Sequence, residues 1–439
     1  MNLAKTSSQR NLTTLLLRGG LVVLFFWLIF TLDSFIINRT DVADSDFSVM
    51  WAGGHAVVNG YSPYNQTYIA AIYQEINHVR QPLVVFPYPI WTVSFFVPLG
   101  WFSVQNAAVV WAFLNQLFFL AAFLLTKAAL RSKHTFSPKQ ANSWSYYLII
   151  AGFVAFLLTP HFIHSLLNGQ TSFLVTLLVA FFLFWITRLL SSHIQAKTSN
   201  KSFRNRNAHL WAGILLVGWL VKPAVVLMVL PLTLVWLAKR RLWQVLVTAG
   251  VTSLLLLLVS LYIYPNWIAA WSSSRTTAEL GEIATSSNVW GIASELSHNL
   301  GYEGLALPLA GVVCLVLAVL NWRVLRQQTD PSLIVTTLGS LGLATTFYSH
   351  NYDQLLLFLP GLALLDFALQ LPRFQRILVW ANLATILLIV PWLLNIQALQ
   401  SSVAGLYALS LNLFILLLLT LTKVSHPPVW ATPEYANAY

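Results

Sequence analysis

The sequence predicts an all-α polytopic membrane protein of about 12 transmembrane helices, with a long first outer loop that carries interfacial helices. Three observations support this. Of 439 residues, 57% are hydrophobic and 8% charged, at a mean hydropathy of +0.70; an ordinary soluble domain carries roughly 25% charged residues. The apolar residues come in runs of about 16 to 28, long enough to cross a hydrocarbon core of roughly 30 Å as helices. The two-residue alternation of an outer-membrane barrel is missing, which leaves helices as the only way to satisfy backbone groups in lipid.

The formal net charge of +11 reads as basic loops facing anionic headgroups, and nucleic acid is excluded as a partner. The one cysteine, Cys314, lies inside an apolar run, so no intrachain disulfide can form. At the start of the chain, Lys5, Arg10 and Arg18 precede Leu21 to Leu32, and Val42-Ala43 offers a weak cleavage site. The segment has the order of a signal sequence and is read as an uncleaved anchor, the first span.

Charge then fixes the order of the other elements. Leu83 to Phe102 is apolar, but with Pro82, Pro87, Pro89 and Pro98 it is expected to lie at the outer interface or to dip in and return; a span there would strand Lys127, Arg131, Lys133 and Lys139 on the wrong side. Leu210 to Leu237 is split at Lys222-Pro223, because proline breaks a helix and a mid-run lysine is costly without water or a partner. The expected spans are 15–37, 105–127, 144–160, 171–188, 209–221, 223–238, 243–264, 305–322, 332–348, 353–370, 375–394 and 402–422. Both termini are then cytoplasmic, and 20 of the 24 Lys and Arg lie inside. Two loops, about 38–104 and 265–304, are long enough to carry function on the outer face. The chain divides into a transmembrane module at 1–264 containing the first loop, an outer loop at 265–304, a C-terminal bundle at 305–422 and a cytoplasmic tail at 423–439.

Candidate chemistry collects on the outer face. Asp44 and Asp46 follow the first span. A carboxylate there can accept a proton from an attacking hydroxyl, or it can belong to a solvated acidic loop. Asp46 is the stronger candidate, because Phe47, Val49, Met50 and Trp51 predict an interfacial helix that holds it. "NGYSPYN" (Asn59 to Asn65) is a turn whose Tyr61 and Tyr64 either stack on a sugar or sit at the headgroups. Lys222 either meets a phosphate as a point charge or belongs to a buried structural pair. "LLNGQTS" (Leu166 to Ser172) brings Asn168 and Gln170 to the same face. "YSHNYDQ" (Tyr348 to Gln354) adds His350, Asn351 and Asp353, with His350 either orienting substrate or passive. Asp44 with Asp46, and His161 with His164, are incomplete as ligand sets, so a divalent cation is possible but not predicted and no metal residues are assigned. No Walker or Rossmann glycine pattern is present, and no cofactor beyond a donor lipid is expected.

The order "DSDF", "NGYSPYN", "FPYP", "NGQTS", "WLVKP", "SHNYD" resembles the GT-C superfamily of integral-membrane glycosyltransferases. It is most similar to glycosyltransferase family 87, the polyprenyl-phosphate-mannose-dependent mannosyltransferases. The likeness runs over about residues 15–360. It implies a GT-C fold in the cell membrane with the active site facing outside. It also implies a polyprenyl-phosphate sugar, expected to be mannose, as donor and a lipid or glycan hydroxyl as acceptor. Carried onto this chain, it makes Asp46 the base and gives Lys222, Gln170 and His350 to the substrates; Arg275 joins Lys222 as a second cation for the phosphate. A transporter or flippase of a lipid-linked saccharide is the alternative, since broken helices and an intramembrane lysine occur there too.

Overall fold

The computed structural model describes residues 23–76, 85–134, 143–199, 206–226, 229–275, 286, 288–326, 330–346, 349–369, 371–392 and 401–421. Among these residues the regular structure is entirely helical. The protein is an all-α polytopic membrane protein. Each of the twelve expected ranges contains helix, but among the described residues five helices are apolar and long enough to cross a bilayer alone: Val104–Leu130, Ser172–Leu190, Trp243–Ile263, Ala306–Leu325 and Arg373–Trp392. A sixth arises if Ile149–Leu157 and Pro160–Leu167, bent by 54° at their break, count as one. Val23–Ile37, Asn207–Val221, Val229–Lys239, Ser332–Thr345 and Leu409–Thr420 are apolar but shorter. The basic stretches 135–142 and 200–205 and the tail from 422 onward lie outside the described residues.

The frame is built around the Ser172–Ser199 helix, which packs against Val104–His134 on one side and Arg206–Gly218 on the other. Trp243–Ile263 leans on Arg206–Gly218 and leaves Val247, Leu254, Leu255 and Leu258 exposed, the apolar surface expected of a face that meets lipid. Pro331–Thr345 packs on Phe358–Ala368 and Ser401–Leu421 to form the C-terminal bundle.

The segment expected at the interface is no span. Ile90–Val93 is one helical turn, and a 3-10 turn follows at Pro98–Trp101, because the prolines remove donors and fix the backbone. It folds onto the Asp46–Val58 helix so closely that a Cβ on Gly54 would sit 2.3 Å from the Phe96 carbonyl oxygen. Trp51 Nε1 donates to the Phe102 carbonyl at 3.1 Å, and the His55 ring contacts the Gly100 carbonyl at 2.8 Å. Phe47, Met50, Trp51, Tyr64, Phe86, Phe96 and Trp111 form the loop's own core. Each such buried side chain contributes about 1.5–3 kcal/mol, enough to hold the loop as a folded cap on the bundle.

Candidate functional site

The break at Lys222 creates the site. The Arg206–Gly218 helix tightens into a 3-10 turn at Trp219–Val221, and a new helix starts at Pro223. Such a break orphans backbone carbonyls that a continuous helix would satisfy. The first loop answers two of them: Trp91 Nε1 donates to the Leu220 carbonyl at 3.0 Å, and Thr92 Oγ1 to that of Val221 at 3.1 Å. Thr346 Oγ1 donates to the Ala224 carbonyl. The interfacial segment is therefore fixed to the broken helix, and Lys222 is held between them, 6% exposed.

The turn at Asn168–Gln170 makes the second junction. It ends the Pro160–Leu167 helix, and Gly169 takes φ +62°, a conformation costly for a residue with a Cβ. A Cβ there would also lie 2.6 Å from that of Phe47. Trp111 Nε1 donates to the Gly169 carbonyl at 2.7 Å. The Asn168 carbonyl accepts from Phe47 N–H at 3.1 Å, which satisfies one of the free donors at the start of the Asp46–Val58 helix. Asp46, in that first turn, is favoured by the positive end of the helix dipole.

These junctions bring Asp46, Gln170, Lys222 and Asp353, from distant parts of the chain, into one line, with Ser172 beside it. Gln170 Nε2 donates to Asp46 Oδ2 at 2.5 Å. Gln170 Oε1 accepts from Lys222 Nζ at 3.3 Å. Lys222 Nζ also donates to Ser172 Oγ at 3.1 Å and forms an ion pair with Asp353 Oδ1. Ser172 Oγ donates to the same Asp353 oxygen at 2.6 Å, and the His350 N–H donates to Asp353 Oδ2 at 3.1 Å. Gln170 and Asp353 are each 1% exposed, whereas Asp46 is half-buried. One end of the line thus reaches toward solvent. Tyr88, of "FPYP", feels the charges of Lys222, Asp353 and Asp46. Desolvation is the largest influence on its phenol and holds it above its ordinary value of 10.0, so it stays neutral.

The other sequence candidates divide. Asp44 ends the 3-10 turn Val42–Asp44 and is exposed. Tyr61 is exposed and stacks on Tyr68, centroids 3.9 Å apart. Tyr64 is buried and donates its hydroxyl to the Tyr88 carbonyl at 2.7 Å, so it braces the proline-rich segment that carries Tyr88. His350 caps the 3-10 helix Asn351–Leu357 reciprocally with Asp353. The side chains of Asn351 and Arg275 lie outside the described ones; Arg275 closes the Trp267–Arg275 helix, which Trp271 ties to the Pro87 carbonyl at 3.0 Å. For Lys222 the structure gives a buried pair, with three side-chain acceptors around the ammonium. Among the described residues, no three His, Cys, Asp or Glu side chains gather as a metal set.

Sequence reasoning assigned no role to Asp353, Ser172 or Tyr88. "SHNYD" drew attention to the histidine, although a lysine buried mid-helix calls for a carboxylate partner, and Asp353 was an acid in an outer motif.

The fold and this site define a polytopic helical membrane protein with a charge-bearing polar line at one end of its bundle. The chain belongs to glycosyltransferase family 87, whose model matches residues 86–349. That match includes Tyr88, Gln170 and Lys222, while Asp46 precedes it and Asp353 follows it. A curated relative is the polyprenol-phosphate-mannose-dependent α-(1-2)-phosphatidylinositol pentamannoside mannosyltransferase of Mycolicibacterium smegmatis, 36% identical over 121 residues. The alignment covers 26% of this chain and 29% of that protein.

Proposed function

We propose that this glycosyltransferase moves a sugar, mannose by the name of its relative, from a polyprenyl-phosphate donor to a hydroxyl of a lipid or glycan acceptor on the outer face of the membrane. The observation that carries the reading is the line from half-buried Asp46 through Gln170 to buried Lys222, in a family 87 chain. In the reaction the acceptor oxygen attacks the anomeric carbon as its bond to the phosphate oxygen breaks. Polyprenyl phosphate leaves with the bonding electron pair, Asp46 takes the acceptor proton, and the anomeric configuration inverts. A phosphate departs readily, so one base suffices where positive charge balances it. Lys222 provides that charge in exchange for one of its present acceptors, and Arg275 is the second candidate.

The test is transfer of labelled mannose from polyprenyl-phosphate mannose into a lipid extract by purified wild-type and D46N protein. Transfer by the wild type and its loss in D46N support the reading. Normal transfer by D46N removes the base, and donor-independent translocation of lipid-linked saccharide in vesicles would favour a transporter.

A further inference from the structure

The middle of the line admits only one arrangement of charges. Gln170 is 1% exposed, and its two amide ends meet groups of opposite character. Its oxygen faces the Lys222 ammonium, which can only donate, and its NH2 faces the Asp46 carboxylate, which when ionised can only accept. Flipping the amide would set NH2 against ammonium and oxygen against carboxylate, two repulsions in a buried setting. Lys222 is itself anchored by Asp353 and Ser172. Anchorage therefore passes from Asp353 to Lys222, to the amide, and on to one oxygen of Asp46. Through this bond the amide holds the Asp46 carboxylate at Oδ2. The backbone supports the same joint: Phe47 and Gly169 are in close contact, so the helix start carrying Asp46 and the turn carrying Gln170 move together.

We infer that Gln170 is a positioning residue: polarised by the Lys222–Asp353 pair, it fixes the orientation of the Asp46 carboxylate, and it does not itself bind sugar or phosphate. This rests on the reading of Asp46 as the base and goes beyond it by linking the buried cation to that base. Tyr88 also feels the charges of Asp46 and Lys222.

Q170L and Q170E test it in full-length protein. Q170L removes both contacts. Q170E keeps an acceptor for Lys222 but cannot, when ionised, donate to Asp46. Both variants should lower kcat for mannose transfer about 10- to 100-fold, with donor KM and binding of sugar-free polyprenyl phosphate unchanged. A Q170E enzyme with wild-type kcat, or a Q170L enzyme whose donor KM rises at constant kcat, overturns the inference. A second measurement needs no turnover. Melting-temperature losses from D46A and K222M should be non-additive with Gln170 in place and additive in a Q170L background; additivity in both backgrounds overturns the inference. Should the wild type transfer no sugar from polyprenyl-phosphate mannose, the proposed function is what fails, and the melting cycle still decides the linkage. If Q170L does not accumulate, the cycle is run in Q170E, which keeps size and polarity.

Discussion

Two of the polar clusters buried among the described residues differ in kind. In the C-terminal helices, Asn321 and Asn412 exchange amide hydrogen bonds at 3.0 Å. Asn412 also donates to Ser340 at 2.9 Å and Asn321 to the Leu317 carbonyl at 2.7 Å. Every member is neutral and fully buried. The line from Asp46 to Asp353 is charged, spans the first loop and three further segments, and ends in a half-buried carboxylate. A neutral, mutually satisfied cluster fixes the register of helices, whose lipid-facing sides give little direction to packing. A charged line with one end open carries the desolvation penalty of its ions and gains a group able to do acid–base work.

The comparison can be broken by mutation. The largest effect expected is on activity: D46N should lower sugar transfer about 10²- to 10⁴-fold with little change in melting, whereas no substitution in the Asn321–Asn412 cluster should approach that loss. Next, K222M or D353N alone should destabilise by on the order of 3 kcal/mol, since each leaves an uncompensated buried charge. The double variant K222M/D353L should regain much of the melting temperature but none of the activity. Thermal unfolding in detergent with a parallel transfer assay separates the two. G169A, strained at φ +62° and pressed against Phe47, should cost about 1–2 kcal/mol and reduce kcat by displacing Gln170. N412L should cost about 1–3 kcal/mol by stranding Asn321, while N321L/N412L should be nearly neutral. Transfer should persist in both Asn412 variants.

Much of the scaffold was legible in the sequence because a bilayer imposes simple rules. Apolar runs marked the helices, prolines at 82, 87, 89 and 98 withdrew one false span, and Lys222-Pro223 located the break. Short motifs brought Gln170 and Asp46 to one face, but their contact comes from the structure. Partner choice was not legible. Lys222 and Asp353 stand 131 positions apart, and nothing local distinguishes Asp353 from the other outer acids. Tyr64 was read as a surface ring because its acceptor, the Tyr88 carbonyl, belongs to a strap whose path depends on the broken helix. The number of spans was only partly legible. Several helices are shortened by 3-10 turns or bends, as at Asn351–Leu357 and between Leu157 and Pro160, where hydropathy alone reads a continuous run.

The most direct test is a structure with a non-reactive polyprenyl-phosphonate sugar bound. The anomeric carbon should lie in a space bordered by the Asp46 carboxylate, with room for an acceptor oxygen about 3–3.5 Å from it, and the phosphonate on the side of Lys222. A sugar bound at the far end of the bundle, or separated from Asp46 by packed helices, would contradict the account.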